Sequence, residues 1–168
     1  MGGLGIALII IQYGTLWWHD ALTHDDLDST QSPSGRVILM GRSPEMIDAA
    51  KTAVESGGTV ILLRSDHPPP SVRVCVTEDA ATAATRILTD ADVSNDAIEV
   101  WQTSGRTPHA AWRYLDRTGR LDRGVTVLCP GIASARTRRV IDQALQGRSS
   151  REHVQVRGVA IAKLDRDH

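Results

Sequence analysis

The chain has 168 residues, of which 41% are hydrophobic and 23% are charged. This is the composition of a globular domain, and it excludes a disordered chain and a collagen-like repeat. The 19 basic and 20 acidic residues give a net charge of −1, which argues against a protein built mainly to bind nucleic acid.

The first 18 residues form an apolar segment. Residues 2–18 carry no charge, Ile6–Ile11 is continuously apolar, and Trp17 and Trp18 close the stretch. As a helix the segment would rise about 25 Å, near the shortest membrane span, and tryptophan is common at membrane interfaces. We therefore expect a membrane anchor at 1–18 and a polar linker at 19–35. The alternative is a buried strand or core helix of the domain that follows.

The remainder, 36–168, alternates short apolar runs with segments of helical periodicity. Strands are predicted at 37–40, 59–63, 97–101, 125–129 and 154–162, with a further short strand possible at 72–76. Helices are predicted after Ser43, at 77–91, after Thr107 and at 134–146. Ser43 and Thr107 each precede a proline, an order that is typical of a helix start.

Continuous apolar strands that alternate with amphipathic helices are typical of a parallel sheet covered on both faces. The sequence therefore predicts an α/β domain with a doubly wound, mainly parallel, Rossmann-like sheet of five or six strands.

Several common catalytic motifs are missing from the sequence. It contains no GxGxxG after a strand, no GxxxxGK[ST] and no G-x-S-x-G. The six histidines have no metal-binding spacing, and the two cysteines lie far apart, so no metal site and no disulfide scaffold are indicated. Cys129, Trp101 and Trp112 are interpreted as core residues.

Ligands of doubly wound sheets bind beyond the carboxyl ends of the strands. The segments expected there carry arginine, hydroxyl groups and two candidate bases, namely Arg42, Ser43, Arg64, Asp66, His67, Ser104, Arg106, Thr107 and Arg136. Asp66 and His67 are the candidate catalytic residues. Arginine near a helix start opposes the helix dipole unless an anion is bound there. The pattern predicts a pocket for a phosphorylated or carboxylated ligand. The alternative is chance, because 17 of the 19 basic residues are arginine.

Glu78, Ser104, Thr107 and Arg136 match positions of a known family, in an order of strands and helices that also matches. On these residues, 36–162 resembles the bacterial YdcF/SanA/ElyC-like family, the domain of unknown function 218, as a divergent member. Ala133 stands where that family has a histidine. The resemblance implies a Rossmann-like domain in cell-envelope biogenesis, adds Glu78 to the ligand-binding candidates, and implies S-adenosylmethionine as a cofactor of some members.

We expect a cell-envelope domain that binds a phosphorylated small molecule or a lipid-linked precursor. We expect no binding of nucleic acid, and the binding function does not require that the domain catalyses a reaction. The alternatives are a small enzyme acting on phosphorylated envelope precursors and a soluble nucleotide or S-adenosylmethionine module. The expected location is the bacterial inner membrane, with the domain outside the cytoplasm. Without the anchor the protein would be cytoplasmic.

Overall fold

The computed structural model describes residues 35–66 and 80–162. They form a five-stranded, all-parallel sheet in the order β3-β2-β1-β4-β5. The strands are β1 (Arg36–Leu39), β2 (Thr59–Ser65), β3 (Ile98–Thr103), β4 (Val125–Pro130) and β5 (Val154–Val159). The helices are α1 (Pro44–Glu55), α2 (Ala80–Asp90), α3 (Pro108–Arg117) and α4 (Ser134–Ala144). The predicted Rossmann-like fold is confirmed.

Two apolar layers hold the helices on the sheet. On one face, α1 and α2 bury Met46, Ala50 and Leu88 against strand residues such as Val37 and Leu62. On the other face, the core includes Ile38, Trp101, Trp112, Leu115 and Ile141, which join α3 and α4 to the strands. Trp101 and Trp112 are 1% and 2% exposed, so their interpretation as core residues is confirmed.

The two cap-then-proline helix starts are also confirmed. The Met46 backbone N–H donates to Ser43 Oγ over 3.3 Å, and the Ala110 backbone N–H donates to Thr107 Oγ1 over 3.1 Å. Each side chain satisfies one of the backbone donors that a helix start leaves unpaired. The sequence signal is local, which is why it places these two starts correctly.

Some predicted boundaries are wrong by a few residues. Both β2 and β3 continue two residues further than predicted, so that Arg64 pairs with Gln102 and Ser65 with Thr103 inside the sheet. In the other direction, β5 ends at Val159 rather than at residue 162. The candidate strand at 72–76 and the segments 1–18 and 19–34 lie outside the described residues.

Gly158 in β5 allows the start of α4 to lie against the sheet. A Cβ atom at this position would lie 2.9 Å from Gly131 Cα and 3.3 Å from Ser134 Cβ. We expect Gly158→Ala to lower the free energy of unfolding by about 1–3 kcal/mol, because backbone atoms would have to move apart.

The matched control is Gly41→Ala, where a Cβ would lie 3.3 Å from Cε of the flexible Met46 side chain. Denaturant unfolding of both variants measures the difference. Equal losses of stability in the two variants would contradict the close packing of β5 on α4.

Candidate functional site

The strand order opens a crevice between the carboxyl ends of β1 and β4. These strands are neighbours in the sheet, yet α1 covers one face of it and α4 covers the other. The chain therefore leaves β1 and β4 toward opposite faces. In doubly wound sheets this reversal point is where ligands bind.

The four predicted arginines lie in a row along this edge. From the edge of the sheet inward the order is Arg106 after β3, Arg64 in β2, Arg42 after β1 and Arg136 in the first turn of α4. Neighbouring strands are about 4.8 Å apart, so β3 and β4 are separated by roughly 14 Å. One small ligand can therefore reach only neighbouring members of the row. Arg42 and Arg136 are the pair that flanks the crevice.

Arg42 is a partly buried cation at the crevice. Burial lowers the pKa of its guanidinium, although arginine stays charged at any physiological pH. Among the described residues, no carboxylate lies within ion-pair distance of it. A cation that has lost water without gaining a counter-ion is the electrostatic condition that favours a bound anion.

Arg64 differs from its predicted place in a loop. It lies within β2, and its Nη2 donates to Thr82 Oγ1 of α2 over 3.5 Å. Its side chain is therefore directed over the face that α2 covers and not toward β4.

The residues after β3 form a separate group. Ser104 is half-buried and Arg106 is exposed, while the hydroxyl of Thr107 caps α3. Gly105 has a φ of +106°, and a Cβ there would lie 2.4 Å from Ala110 Cβ. The turn brings Arg106 to the edge of the sheet, two strands away from Arg42.

The start of α1 already carries an anion from the chain itself. Glu45 lies in the first turn, and its Oε1 accepts a hydrogen bond from the Ala162 backbone N–H over 3.1 Å. Hydrogen bonds from its own backbone N–H and from that of Ala162 lower the pKa of the Glu45 carboxyl. Ser43, one of the predicted ligand-binding residues, is engaged at the same place as the cap of this helix.

The first turn of α4 supplies no such anion of its own. No side chain caps it, no acidic residue lies in its first turn, and a short 3-10 turn, Gly131–Ala133, leads into it. The Ser134 hydroxyl is directed back and donates to the Gly131 carbonyl over 2.9 Å. Arg136 and the positive end of the helix dipole therefore act together at one side of the crevice.

Of the candidate bases, the structure describes only Asp66. Asp66 is exposed, and its backbone N–H donates to the Thr103 carbonyl over 3.2 Å, at the same edge of the sheet. His67 and Glu78 lie outside the described residues.

Cys129 is 0% exposed, and burial raises the pKa of its thiol to about 11. It is a core residue as predicted, since the thiolate rather than the thiol is the nucleophile.

Two features of this edge escaped the sequence analysis. Ile132 and Ile161 are 57% and 40% exposed, and they follow neighbouring strands, β4 and β5. The role of Glu45 was also missed beyond a favourable charge at a helix start. An isoleucine within a turn could have been noticed in the sequence. The contact of Glu45 with Ala162 joins residues 117 positions apart, so no local sequence pattern indicates it.

Comparison with protein-family models, with curated proteins and with solved structures found no match. Within residues 35–66 and 80–162, no three histidine, cysteine, aspartate or glutamate side chains are grouped closely enough to hold a metal ion. In the same part of the chain, no helix is sufficiently long and apolar to cross a membrane.

The Glu45 contact should depend on pH. The pKa of its carboxyl is lowered from 4.5 in the fold, so its stabilising effect is present above pH 4.5 and is lost as the pH falls through the lower, folded-state value. We expect amide hydrogen exchange at Ala162 to accelerate below that value, after correction for the intrinsic rate. In Glu45→Gln this extra acceleration should vanish. The same acceleration in both proteins would contradict the assignment.

Proposed function

We propose that this domain binds a phosphorylated or otherwise anionic ligand in the crevice between β1 and β4. The observation that carries the proposal is Arg42, a partly buried guanidinium without a carboxylate partner among the described residues. Burying a charge without a partner is costly. A bound anion would offset that cost at the carboxyl edge of the sheet.

The start of α4 is the second contribution to the proposed site. A helix start attracts anions through its backbone N–H groups and its dipole, and Arg136 adds a planar fork suited to phosphate. The start of α1 is the less suitable place, because the Glu45 carboxylate already lies there. The ligand's anionic group therefore belongs on the β4 side of the crevice, with Arg42 facing it from β1.

The exposed isoleucines favour a ligand with an apolar part. Ile132 lies in the turn that leads into α4, and Ile161 follows β5. An amphiphilic phosphate, such as a lipid-linked precursor, would place its charge between the arginines and its hydrocarbon on these side chains. A free phosphate compound would gain only the electrostatic part of this binding.

A place in the cell envelope is part of the proposal and rests on the sequence alone. The apolar segment at 1–18 supports a membrane anchor, and the resemblance to the YdcF/SanA/ElyC-like family supports envelope biogenesis. We propose binding as the activity, and the thiol of Cys129 is buried away from any ligand at this edge.

The ligand proposal is tested by thermal unfolding of the chain with inorganic phosphate, a sugar nucleotide, S-adenosylmethionine and a short-chain polyprenyl phosphate. A ligand at about 100 times its dissociation constant adds about 2.7 kcal/mol, which is a shift of several degrees for a domain of this size. We expect the largest shift with the polyprenyl phosphate. Arg42→Ala and Arg136→Ala should each remove most of it.

The control is Arg123→Ala, which removes an exposed arginine before β4, at the opposite edge of the sheet. It loses the same charge and should retain the full shift. Arg42→Lys should keep only part of it, because lysine keeps the charge but lacks the fork. Ligand shifts that are equal in all four variants and the unmodified chain would refute the site. A shift with phosphate alone would refute the apolar part.

The envelope proposal is tested by fractionation of cells that produce the 168-residue chain. We expect the protein in the membrane fraction, resistant to extraction by high salt or alkaline carbonate but released by detergent. Replacing Ile9 and Ile10 by aspartate should move it to the aqueous fraction, because charged residues at the centre of a membrane span are costly. An unmodified chain found entirely in the aqueous fraction would exclude the anchor.

A further inference from the structure

The two outer strands of the sheet, β3 and β5, differ in how their free edges are covered. An outer strand presents the N–H and C=O groups of alternate residues to its surroundings, and this row of groups is a template for another strand. Natural proteins cover or charge such edges. Among residues 35–66 and 80–162, side chains cover one of these edges, and none is found to cover the other in this way.

The edge of β5 is covered by two arginines. Arg151 Nη1 donates to the Val154 carbonyl over 2.7 Å, and Arg138 Nη2 donates to the Val156 carbonyl over 3.3 Å. Val154 and Val156 are alternate residues, so their carbonyls are directed to the same side of the strand. A strand that approached β5 would have to displace both guanidinium groups.

At the edge of β3, no described side chain provides such cover. The Thr103 carbonyl accepts the Asp66 N–H from the β2 side, so Thr103, Trp101 and Glu99 direct their backbone groups toward β2. Ile98, Val100 and Gln102 therefore direct theirs outward. In the described part of the chain, the Ile98 N–H already donates to the Asn95 carbonyl, but no hydrogen bond is made to the Ile98 carbonyl or to the outward groups of Val100 and Gln102. Val100 is 41% exposed, and the strand contains neither proline nor lysine.

This edge is complementary to itself. In an antiparallel arrangement about a two-fold axis at Val100, Val100 lies opposite Val100 of the second copy and exchanges both backbone hydrogen bonds with it. Ile98 then lies opposite Gln102 of the second copy, and the Gln102 N–H of each copy donates to the Ile98 carbonyl of the other, which provides two more hydrogen bonds by symmetry. The outward N–H groups of Val100 and Gln102 and the outward carbonyls of Ile98 and Val100 all gain a partner.

The charges on the other face are complementary as well. In the same register, the exposed Glu99 lies opposite Trp101 of the second copy. The guanidinium carbons of Arg36 and Arg120 lie 4.8 Å and 5.5 Å from the centre of the Trp101 ring. Within each chain, Glu99 Oε2 accepts a hydrogen bond from Trp101 Nε1 over 2.9 Å. In the dimer this carboxylate also lies near the two cations of the other copy. Symmetric dimers require this kind of self-complementary surface.

We propose that β3 pairs with β3 of a second copy of this chain to form a continuous ten-stranded sheet. The inference is independent of the proposed ligand. The crevice lies between β1 and β4, two strands away from β3, so pairing at β3 leaves both crevices of the dimer uncovered, one at each of the two opposite edges of the joined sheet.

Disulfide cross-linking tests the geometry directly. Opposed residues of a hydrogen-bonded antiparallel pair have Cα atoms about 5.5 Å apart, which suits a disulfide. In a Cys75→Ser background, Val100→Cys should form a covalent dimer under a mild oxidant. Gln155→Cys, exposed on β5, is the matched control and should stay monomeric. The remaining Cys129 is fully buried. Failure of Val100→Cys to cross-link overturns the proposal.

Sedimentation of the 168-residue chain in a mild detergent tests the energetics. Val100→Lys places two like charges opposite each other and should raise the dimer dissociation constant at least about fivefold. Gln155→Lys should leave it unchanged. Circular dichroism checks that both variants fold, and should Val100→Lys unfold, the cross-linking result decides.

Hydrogen exchange distinguishes a second copy from another part of the same chain. In the dimer, the amides of Val100 and Gln102 become protected as the protein concentration rises. A monomer in which these amides are protected at every concentration would mean that a segment of the same chain pairs with β3. That result would overturn the proposal.

Discussion

The parallel pairing of β1 with β4 is the contact on which the rest of the site depends. It joins segments that are separated by two strands and three helices along the chain, and it continues past the end of β1, where the Met40 N–H donates to the Leu128 carbonyl over 2.9 Å. The chain leaves these two strands toward opposite faces, so the pairing that completes the sheet also leaves an opening at its carboxyl edge. Any other strand order would bring different side chains to that opening.

The electrostatics of the opening follow from two helix starts of opposite character. At α1, Glu45 supplies a negative charge that the helix dipole stabilises, and the Ala162 N–H holds it in place. At α4 the nearby charge is Arg136, which the dipole disfavours. At the start of α1 the helix dipole and the residue charge have opposite signs, while at the start of α4 they have the same sign. The two sides of the crevice therefore differ in their electrostatic character.

Most of the fold could be predicted because its signals are local. The apolar runs of β1, β2 and β4 and the Ser43 and Thr107 caps lie within a few residues of the elements that they define. Strand order could not be predicted, since periodicity carries no information about which strands are neighbours. For the same reason the sequence placed Arg64 and Arg136 on one edge without showing that Arg64 turns to Thr82. The Glu45–Ala162 contact depends on where β5 ends, and the last apolar residues of the chain led us to extend that strand too far.

The contacts of the arginines are more informative about their roles than the number of arginines in the sequence. A biased genome could account for the number of arginines but not for what they contact. Arg138 and Arg151 cover the carbonyls of one sheet edge, and Arg36 and Arg120 lie over the buried Trp101 ring. Arg42 remains beside the crevice with no carboxylate of the described residues to neutralise it. Stacking over the Trp101 ring uses the planar guanidinium, which lysine does not offer. Arg42 differs from these four arginines, because no contact with the described residues accounts for the position of its charge.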